Sequence, residues 1–340
     1  MQPTQSMIHI NRPITEFSEM YRQDQSAVNF IADVIAPNLG LPDKSDIYYT
    51  YSQADFMRDE VKERAAGTES EGTEYGLSES DYKCQRWALH KDLTDEDVKI
   101  ADSMLDLHQD ATQILMDKML LRREANIIST AFKTGVWTGA AGATSANEMT
   151  GQAHTATPVW SAGDFCVWND YTNSDPTTDL VTAVYDQAQV TGQQPNTLVL
   201  GPRVFTALKR HPDIREQYKY TSPDSITTDM LARVFEIDTV LVPKSIVNTK
   251  NRNTTGSKTM GYLWGNDALL LYVAPRVALK TATAMLTITW NNAPGAAAGG
   301  QAISTIPNPL KKTERVEIEA FWTQKIIATP MGTFFNGAVQ

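Results

Sequence analysis

The sequence predicts an α+β fold, and three observations carry that prediction. Residues 176–273 alternate short helical stretches with apolar strand-like runs, the pattern of an α/β unit. Leu93 to Phe132 holds roughly helical apolar spacing with no Pro or Gly until Gly135. Two long strand-like segments, Val277–Trp290 and Arg315–Ala328, follow near the end of the chain.

The bulk properties bound the answer loosely. A chain of 340 residues buries about three quarters of its unfolded surface. One large domain or two interleaved ones are both allowed. Charged residues make up 21% and hydrophobic residues 41%, as in ordinary folded proteins. No run of eighteen apolar residues exists, so no membrane partner is expected. The N-terminus MQPTQSMIHINRPITEF lacks a basic start followed by an apolar stretch, so folding in a cytoplasm is the expectation. Net charge is −10, opposite to a protein that grips phosphates. Cys84 and Cys166 form no CxxC pair and read as two free, partly buried thiols.

Taken in order, residues 1–45 hold Pro3, Pro13, Pro37 and Pro42 and one apolar patch, Val28–Ile35, with Val28, Ile31 and Ile35 at helical spacing. The patch reads either as an arm lying on a neighbouring chain or as a helix packed on its own domain. Ile47–Tyr51 and Tyr82–Leu89 have strand composition. Between them Asp55–Asp81 holds nine acidic residues against three basic ones, Arg58, Lys62 and Arg64. A polar loop this long is uncommon in a compact domain and suggests contact with another chain; a disordered solvent loop is the alternative. Thr94 caps a helix whose first turn is acidic. About forty helical residues is long, so the helix is expected to break near Asp102–Asp106.

Residues 135–175 read as a Gly/Ala/Thr/Asn-rich linker with scattered aromatics. Pro176 opens a helix to Thr191. Thr197–Leu200 is a buried strand, Gly201-Pro202 turns the chain, and Arg203–Arg210 is a short helix stopped by Pro212. Ser225–Phe235 reads as a helix. Thr239–Val242, Met260–Trp264 and Ala268–Val273 read as strands. PGAAAGG, Pro294–Gly300, is a flexible hairpin connection between the two long final strands.

Chemistry is not found. His9, His90, His108, His154 and His211 make no metal spacing. His211, at a helix C-terminus, is assigned a capping and dipole role. Gly201-Pro202-Arg203 lacks the second glycine and Lys-Ser/Thr of a phosphate loop. Glu69 and Glu71 are paired acids in a polar loop, with no apolar pocket to raise a pKa. Lys209, Arg210, Arg215 and Lys219 read as a solvated face. No cofactor, metal or catalytic residue is expected, and the chain is not read as an enzyme.

Two segments carry a resemblance. VTGQQPNTLVLGPRVFTALKRHPDI, Val190–Ile214, and MGYLWGNDALLLYV, Met260–Val273, resemble segments of tailed-phage major capsid proteins of the Hong Kong 97 fold, and the order of elements fits nearly the whole chain. The resemblance implies an N-terminal arm (1–45) and an extended loop (46–92). It also implies a peripheral domain with a long spine helix (93–175 and 274–329), an α/β axial domain (176–273) and a C-terminal tail (330–340). The implied function is structural: a phage's icosahedral shell, self-assembled from pentamers and hexamers in the bacterial host cytoplasm. Such a shell encloses double-stranded DNA without sequence-specific binding. The implied partners are other copies of the chain, a scaffolding protein, a portal and a decoration protein. The segment before the extended loop is short for a cleaved scaffolding region. Some members crosslink a loop lysine to an asparagine; Lys62 would be the lysine here, with no partner identified. The expected inter-subunit contacts are Val28, Phe30, Ile31 and Ile35 of the arm; Arg58, Glu60, Lys62, Glu63, Arg64, Glu69, Glu71 and Glu74 of the loop; and Tyr82 and Trp87 at its base. An encapsulin-type compartment shell and, further off, a soluble α/β enzyme are the alternative readings.

Overall fold

In the computed structural model the described residues are 29–51, 53–100, 106–138, 147–154, 163–218, 226–250, 259–277, 281–293 and 300–340. Along them run α1 (Ala32–Ile35), β1 (Asn38–Leu41), β2 (Ser45–Tyr51), α2 (Gln53–Phe56), β3 (Leu77–Lys83), β4 (Gln85–Thr94), α3 (Asp95–Ile100) and α4 (Leu107–Ala131). Next come β5 (Glu148–Gln152), β6 (Asp164–Cys166), α5 (Pro176–Thr191), β7 (Thr197–Leu200), α6 (Pro202–Arg210), α7 (Pro212–Tyr218) and α8 (Thr228–Val234). The chain continues through β8 (Thr239–Leu241), β9 (Ile246–Asn248), β10 (Met260–Tyr262), β11 (Ala268–Leu271), β12 (Met285–Trp290), β13 (Gln301–Asn308) and β14 (Thr313–Ile326). A 3-10 turn (Thr329–Met331) and β15 (Gly332–Asn336) end it.

The long helical run divides as its caps dictate. Thr94 Oγ1 accepts the Asp97 N–H at 3.1 Å and starts α3. Asp106 accepts the N–H groups of His108 and Gln109 and starts α4. Ile100, expected on the apolar face, is 81% exposed. The α3 turn buries none of its residues, so nothing draws Ile100 inward.

One sheet is built on β14. Its even positions Val316, Ile318, Ala320 and Trp322 are buried against Ala111, Leu115 and Met119 of α4, as period-two alternation requires. The Phe321 N–H goes to Gly300 O and the Ile327 N–H to Ala284 O, while Lys312 O receives the Asp95 N–H. Odd-numbered residues therefore bond toward β12 and β13, and even-numbered residues toward β4. So β12 and β13 lie end to end along one edge of β14, with β4 on the other. β1 adds to β12 in parallel. Strand β13 was not expected from the sequence; its residues QAISTIPN carry no strong alternation, and β14 supplies the template.

The second sheet has the order β6-β5-β15-β11-β7-β8. Strands β7 and β11 are buried on both faces and read as continuous apolar runs. Leu198, Leu200, Ala268 and Leu270 face the helices α5, α6 and α8. Val199, Leu269 and Leu271 face the opposite way, toward Ile127 and Ala131 of α4 and Trp264.

Two boundaries drawn from the sequence change here. Residues 135–175 are not a plain linker: β5 and β6 extend this sheet, and Trp137, Phe165 and Trp168 are buried. Residues 330–340 are not a free tail: β15 pairs between β5 and β11 and buries Phe334 and Phe335. Composition misses both because these strands are short and find partners far away in sequence. Pro212 ends α6 as expected but also opens α7, since a proline at a first helical turn loses no bond. Strands β9 and β10 pair antiparallel as a separate two-stranded sheet. Of the PGAAAGG connection, residues 294–299 lie outside the described residues, and Gly300 immediately precedes β13, so the connection leads into β13 rather than straight into the second long strand.

Glycine at 201 has a steric reason. A Cβ there would lie 2.1 Å from Gly265 O, so backbone meets backbone where β7 passes into α6. The Gly201→Ala variant is expected to lose about 2 kcal/mol or more of stability, measured by chemical denaturation.

The N-terminal turn is held by a buried acid. Glu124 of α4 is fully buried, and its Oε1 accepts the Ala32 N–H at 2.5 Å. The adjacent Arg123 pairs with Asp33 at 2.9 Å. Burial pushes the Glu124 carboxyl up to about 7, against the bond from Ala32. The native state then holds this proton where the unfolded chain has released it. Stability is full below about pH 4.5 and falls as pH rises through about 7. In Glu124→Gln that pH dependence should disappear, with a gain on the order of 2 kcal/mol at pH 8 relative to wild type. Paired melting curves at pH 5 and pH 8 measure it.

Candidate functional site

Among the described residues no catalytic constellation forms. Among the described residues no group of three His, Cys, Asp or Glu side chains is placed to hold a metal ion. His211 Nε2 lies 3.0 Å from Ser174 Oγ, and His211 Nδ1 lies 3.5 Å from Asp213 Oδ2. This imitates a nucleophile–base–acid array. The Ser174 hydroxyl also donates to Asp170 O at 2.6 Å, and both Ser174 and His211 are buried, so no substrate reaches them. His211 caps α6 as expected, its N–H bonding Leu208 O at 3.1 Å, but its ring is buried, and burial lowers its pKa and favours the neutral form, so the ring brings no charge to the helix dipole. His108 pairs with Glu314 across the α4–β14 contact, at 3.3 Å. Cys84 and Cys166 are free and buried, and burial pushes the Cys84 thiol to about 11.

The surface that stands out is the ribbon β2–β3. Its register opposes Ile47 to Asp81, Tyr49 to Glu79 and Tyr51 to Leu77. Those residues share one face, on which Ile47, Tyr49, Tyr51 and Leu77 are exposed. The opposite face turns inward. Lys325 of β14 sits over the Tyr48 ring at 5.2 Å, donates to Ser80 Oγ at 3.0 Å and also bonds the Asp81 carbonyl. Tyr82 is buried with Cys84, Leu286 and Ile288, and its hydroxyl donates to Asp43 O at 3.3 Å.

Beyond the ribbon, Tyr51, Phe56 and Tyr75 cluster with ring centroids 5.7–6.3 Å apart. Phe56 is 68% exposed and Tyr75 61%. A contiguous exposed aromatic patch marks an interaction surface. Met57 rests against Gly192, the left-handed cap that ends α5, and a Cβ at Gly192 would lie 2.8 Å from Met57 Cε.

The expected contact residues fall into three groups. Val28 lies outside the described residues. Ile31 and Ile35 are fully buried in their own subunit against Ile127, Trp264 and Met285, and Phe30 is half-buried. Two side chains spent at home have no surface left for a neighbour. Tyr82 and Trp87 are likewise used within the chain; Trp87 stacks on Trp322 at 5.0 Å under Arg122 at 4.5 Å. In the loop, Arg58 pairs with Asp55 and Glu60, Lys62 with Glu71 at 2.7 Å, and Arg64 bonds Thr68 O. Hydrogen bonds from Thr73 and Arg58 lower the Glu60 pKa. The loop cations thus close the loop on itself, while Glu63, Glu69, Glu71 and Glu74 stand exposed. The sequence reading missed the aromatic face. Its signal was there, in Tyr49, Tyr51, Phe56 and Tyr75 flanking a polar stretch.

Comparison with known proteins gives this geometry a context. Residues 97–288 match the family described as Phage major capsid protein E. The major capsid protein of Burkholderia phage BcepMu is 34% identical over 83 residues, a match covering 24% of this chain and 25% of that protein. The major capsid protein of Pseudomonas phage JBD67 is 24% identical over 338 residues, 97% of each chain. A phage-related protein from Bordetella bronchiseptica RB50 superposes with TM-score 0.67 at 21% identity, covering 94% of this chain and 93% of its own. The capsid structure of Cyanophage P-SCSP1u matches with TM-score 0.59 at 11% identity, over 97% and 92%.

Proposed function

This chain belongs to the phage major capsid protein E family and forms the capsid shell of a phage, and from that premise we propose how its surfaces build the shell. The Hong Kong 97-type fold and the structural, non-enzymatic role follow from the same membership. We infer that the shell is icosahedral and that its copies gather as pentamers and hexamers. The six-stranded sheet with α5, α6 and α8 forms the wedge around each axis. We assign residues 148–152, 164–166 and 332–336 to the same wedge, because β5, β6 and β15 pair into that sheet. Its short elements and many turns suit a tapered shape.

The observation that carries the reading is the ribbon β2–β3. It is fastened to its own subunit through Lys325 on one face and leaves an aromatic and acidic face bare on the other. A two-stranded ribbon is marginal by itself, so this face gains its stability from a second subunit. Each fully buried apolar side chain contributes about 1.5–3 kcal/mol, whereas an exposed ion pair contributes about 0–1 kcal/mol. The aromatics therefore hold the contact, and the acidic side chains select a basic neighbour.

Assembly takes place in the bacterial host cytoplasm, with a scaffolding protein and a portal as assembly partners. Double-stranded DNA is enclosed without sequence-specific contacts, in keeping with the net charge of −10. A decoration protein would bind the finished outer surface. An encapsulin-type compartment shares the fold, but the family match is to phage capsid proteins.

Removing residues 67–76, the tip of the loop, should leave a folded subunit that does not form stable shells. Circular dichroism reports the fold, and negative-stain microscopy with size-exclusion chromatography reports assembly. Shells of normal yield and stability from the deletion variant would defeat the contact assigned to the loop. A wild-type chain that stays monomeric or dimeric under all assembly conditions would defeat the shell reading itself.

In the double variant Phe56→Ser, Tyr75→Ser the subunit should melt within about 1 kcal/mol of wild type, because exposed side chains contribute little at home. Its shells should dissociate at lower denaturant than wild-type shells. Light scattering during a urea titration separates the two effects.

A further inference from the structure

We propose that the free edge of β13 pairs antiparallel with the same edge of a second copy of this chain, across a two-fold axis of the shell; this rests on the shell reading above. Strand β13 ends the five-stranded sheet, and among the described residues nothing pairs with its outer edge. The Phe321 N–H bonds Gly300 O at 2.9 Å, so the register fixes which backbone groups point outward. Even-numbered residues of β13 bond to β14. Gln301, Ile303, Thr305 and Pro307 turn their backbone groups to the free edge. Pro307 has no N–H to give, and it stands where the β13–β14 ladder needs none.

Among the described residues nothing else protects the edge. Ile303 is 50% exposed and Ile306 47%. Proteins blunt a long exposed edge with charges, especially Lys. β13, QAISTIPN, carries no charged residue. The ribbon β2–β3, also exposed, carries Asp46, Glu79, Asp81 and Lys83. An uncharged edge bearing two exposed isoleucines fits a partner strand of the same kind.

The edge is complementary to itself. A two-fold axis through Ser304 sets Ile303 opposite Thr305 of the second copy, and Thr305 opposite its Ile303. Each of these pairs exchanges both backbone bonds. The Gln301 N–H reaches the Pro307 carbonyl of the second copy, so the missing proline donor costs only the last bond at each end. Ile306 then lies across from Ala302 of the second copy, on one sheet face. Such a contact is isologous, as a two-fold requires.

The test uses cysteine. In this register Ser304 faces its own copy as a non-hydrogen-bonded pair, with Cα atoms about 4.5 Å apart, inside the range of about 4.4–6.8 Å that a disulfide spans. The native Cys84 and Cys166 are buried and stay out of the reaction. Oxidised shells of Ser304→Cys should lose their monomer band to a disulfide-linked dimer on a non-reducing gel, while Asn308→Cys shells stay monomeric. If Ser304→Cys does not assemble, the variant carrying Ala302→Cys and Ile306→Cys gives the same readout. In wild-type shells the amides of Ile303 and Thr305 should exchange at least about tenfold more slowly than in free subunits. Normal shells whose Ser304→Cys chains stay monomeric overturn the pairing and leave the shell reading standing. Slow exchange without dimers puts a different strand on this edge and overturns it too. Absence of shells from the wild-type chain overturns the shell reading and the pairing together.

Discussion

Helix α4 packs against both sheets, and the rest of the structure depends on that contact. Its twenty-five residues extend about 37 Å. The N-terminal half lays Ala111, Leu115 and Met119 on β14. The C-terminal half lays Ile127 and Ala131 behind the central sheet, with Trp264 and Phe334. One rigid element thus fixes two sheets that share no strand. Between the two halves sits Glu124, which fastens the N-terminal turn to the same helix. A continuous helix is a stiff link between the two sheets.

Strand β14 plays the matching role in the outer sheet. It takes β4 on one edge and both β12 and β13 on the other. Segments more than two hundred residues apart in sequence are joined there, as in the pairing of Gln85 with Trp322. The ladder is also where the ribbon β2–β3 is fastened, through Lys325. The ribbon is therefore positioned by a strand paired along both edges, and its bare face is presented at a defined place.

Apolar side chains are divided between core and surface. Ile31 and Ile35 disappear into the subunit, whereas Phe56, Tyr75 and Tyr49 stay outside. A monomeric protein that kept such a patch bare would risk non-specific association. Arg58, Lys62 and Arg64 shape the loop from within.

The sequence by itself determined the local elements whose signals are local. Asp175 and Pro176 start α5, Gly192 ends it in a left-handed cap, Asp106 starts α4, and Gly201-Pro202 turns β7 into α6. Caps and prolines act within a few residues, so they are legible in a one-dimensional string. The resemblance of Val190–Ile214 and Met260–Val273 to capsid segments carried the fold and the function together. Only the tertiary structure decided what depends on distant partners. Phe334 and Phe335 lie in a buried strand because β5 and β11 flank it, not because of their own neighbours in sequence. The apolar patch at Ile31 was open to two fates until Glu124 and Trp264 were seen to enclose it. The hairpin's second strand begins at Leu77 rather than Tyr82, and the run from Gln85 joins another sheet instead. Strand composition tells that a segment will pair; which edge it finds, and which face it leaves bare, is settled by long-range hydrogen bonding and burial that no local pattern encodes.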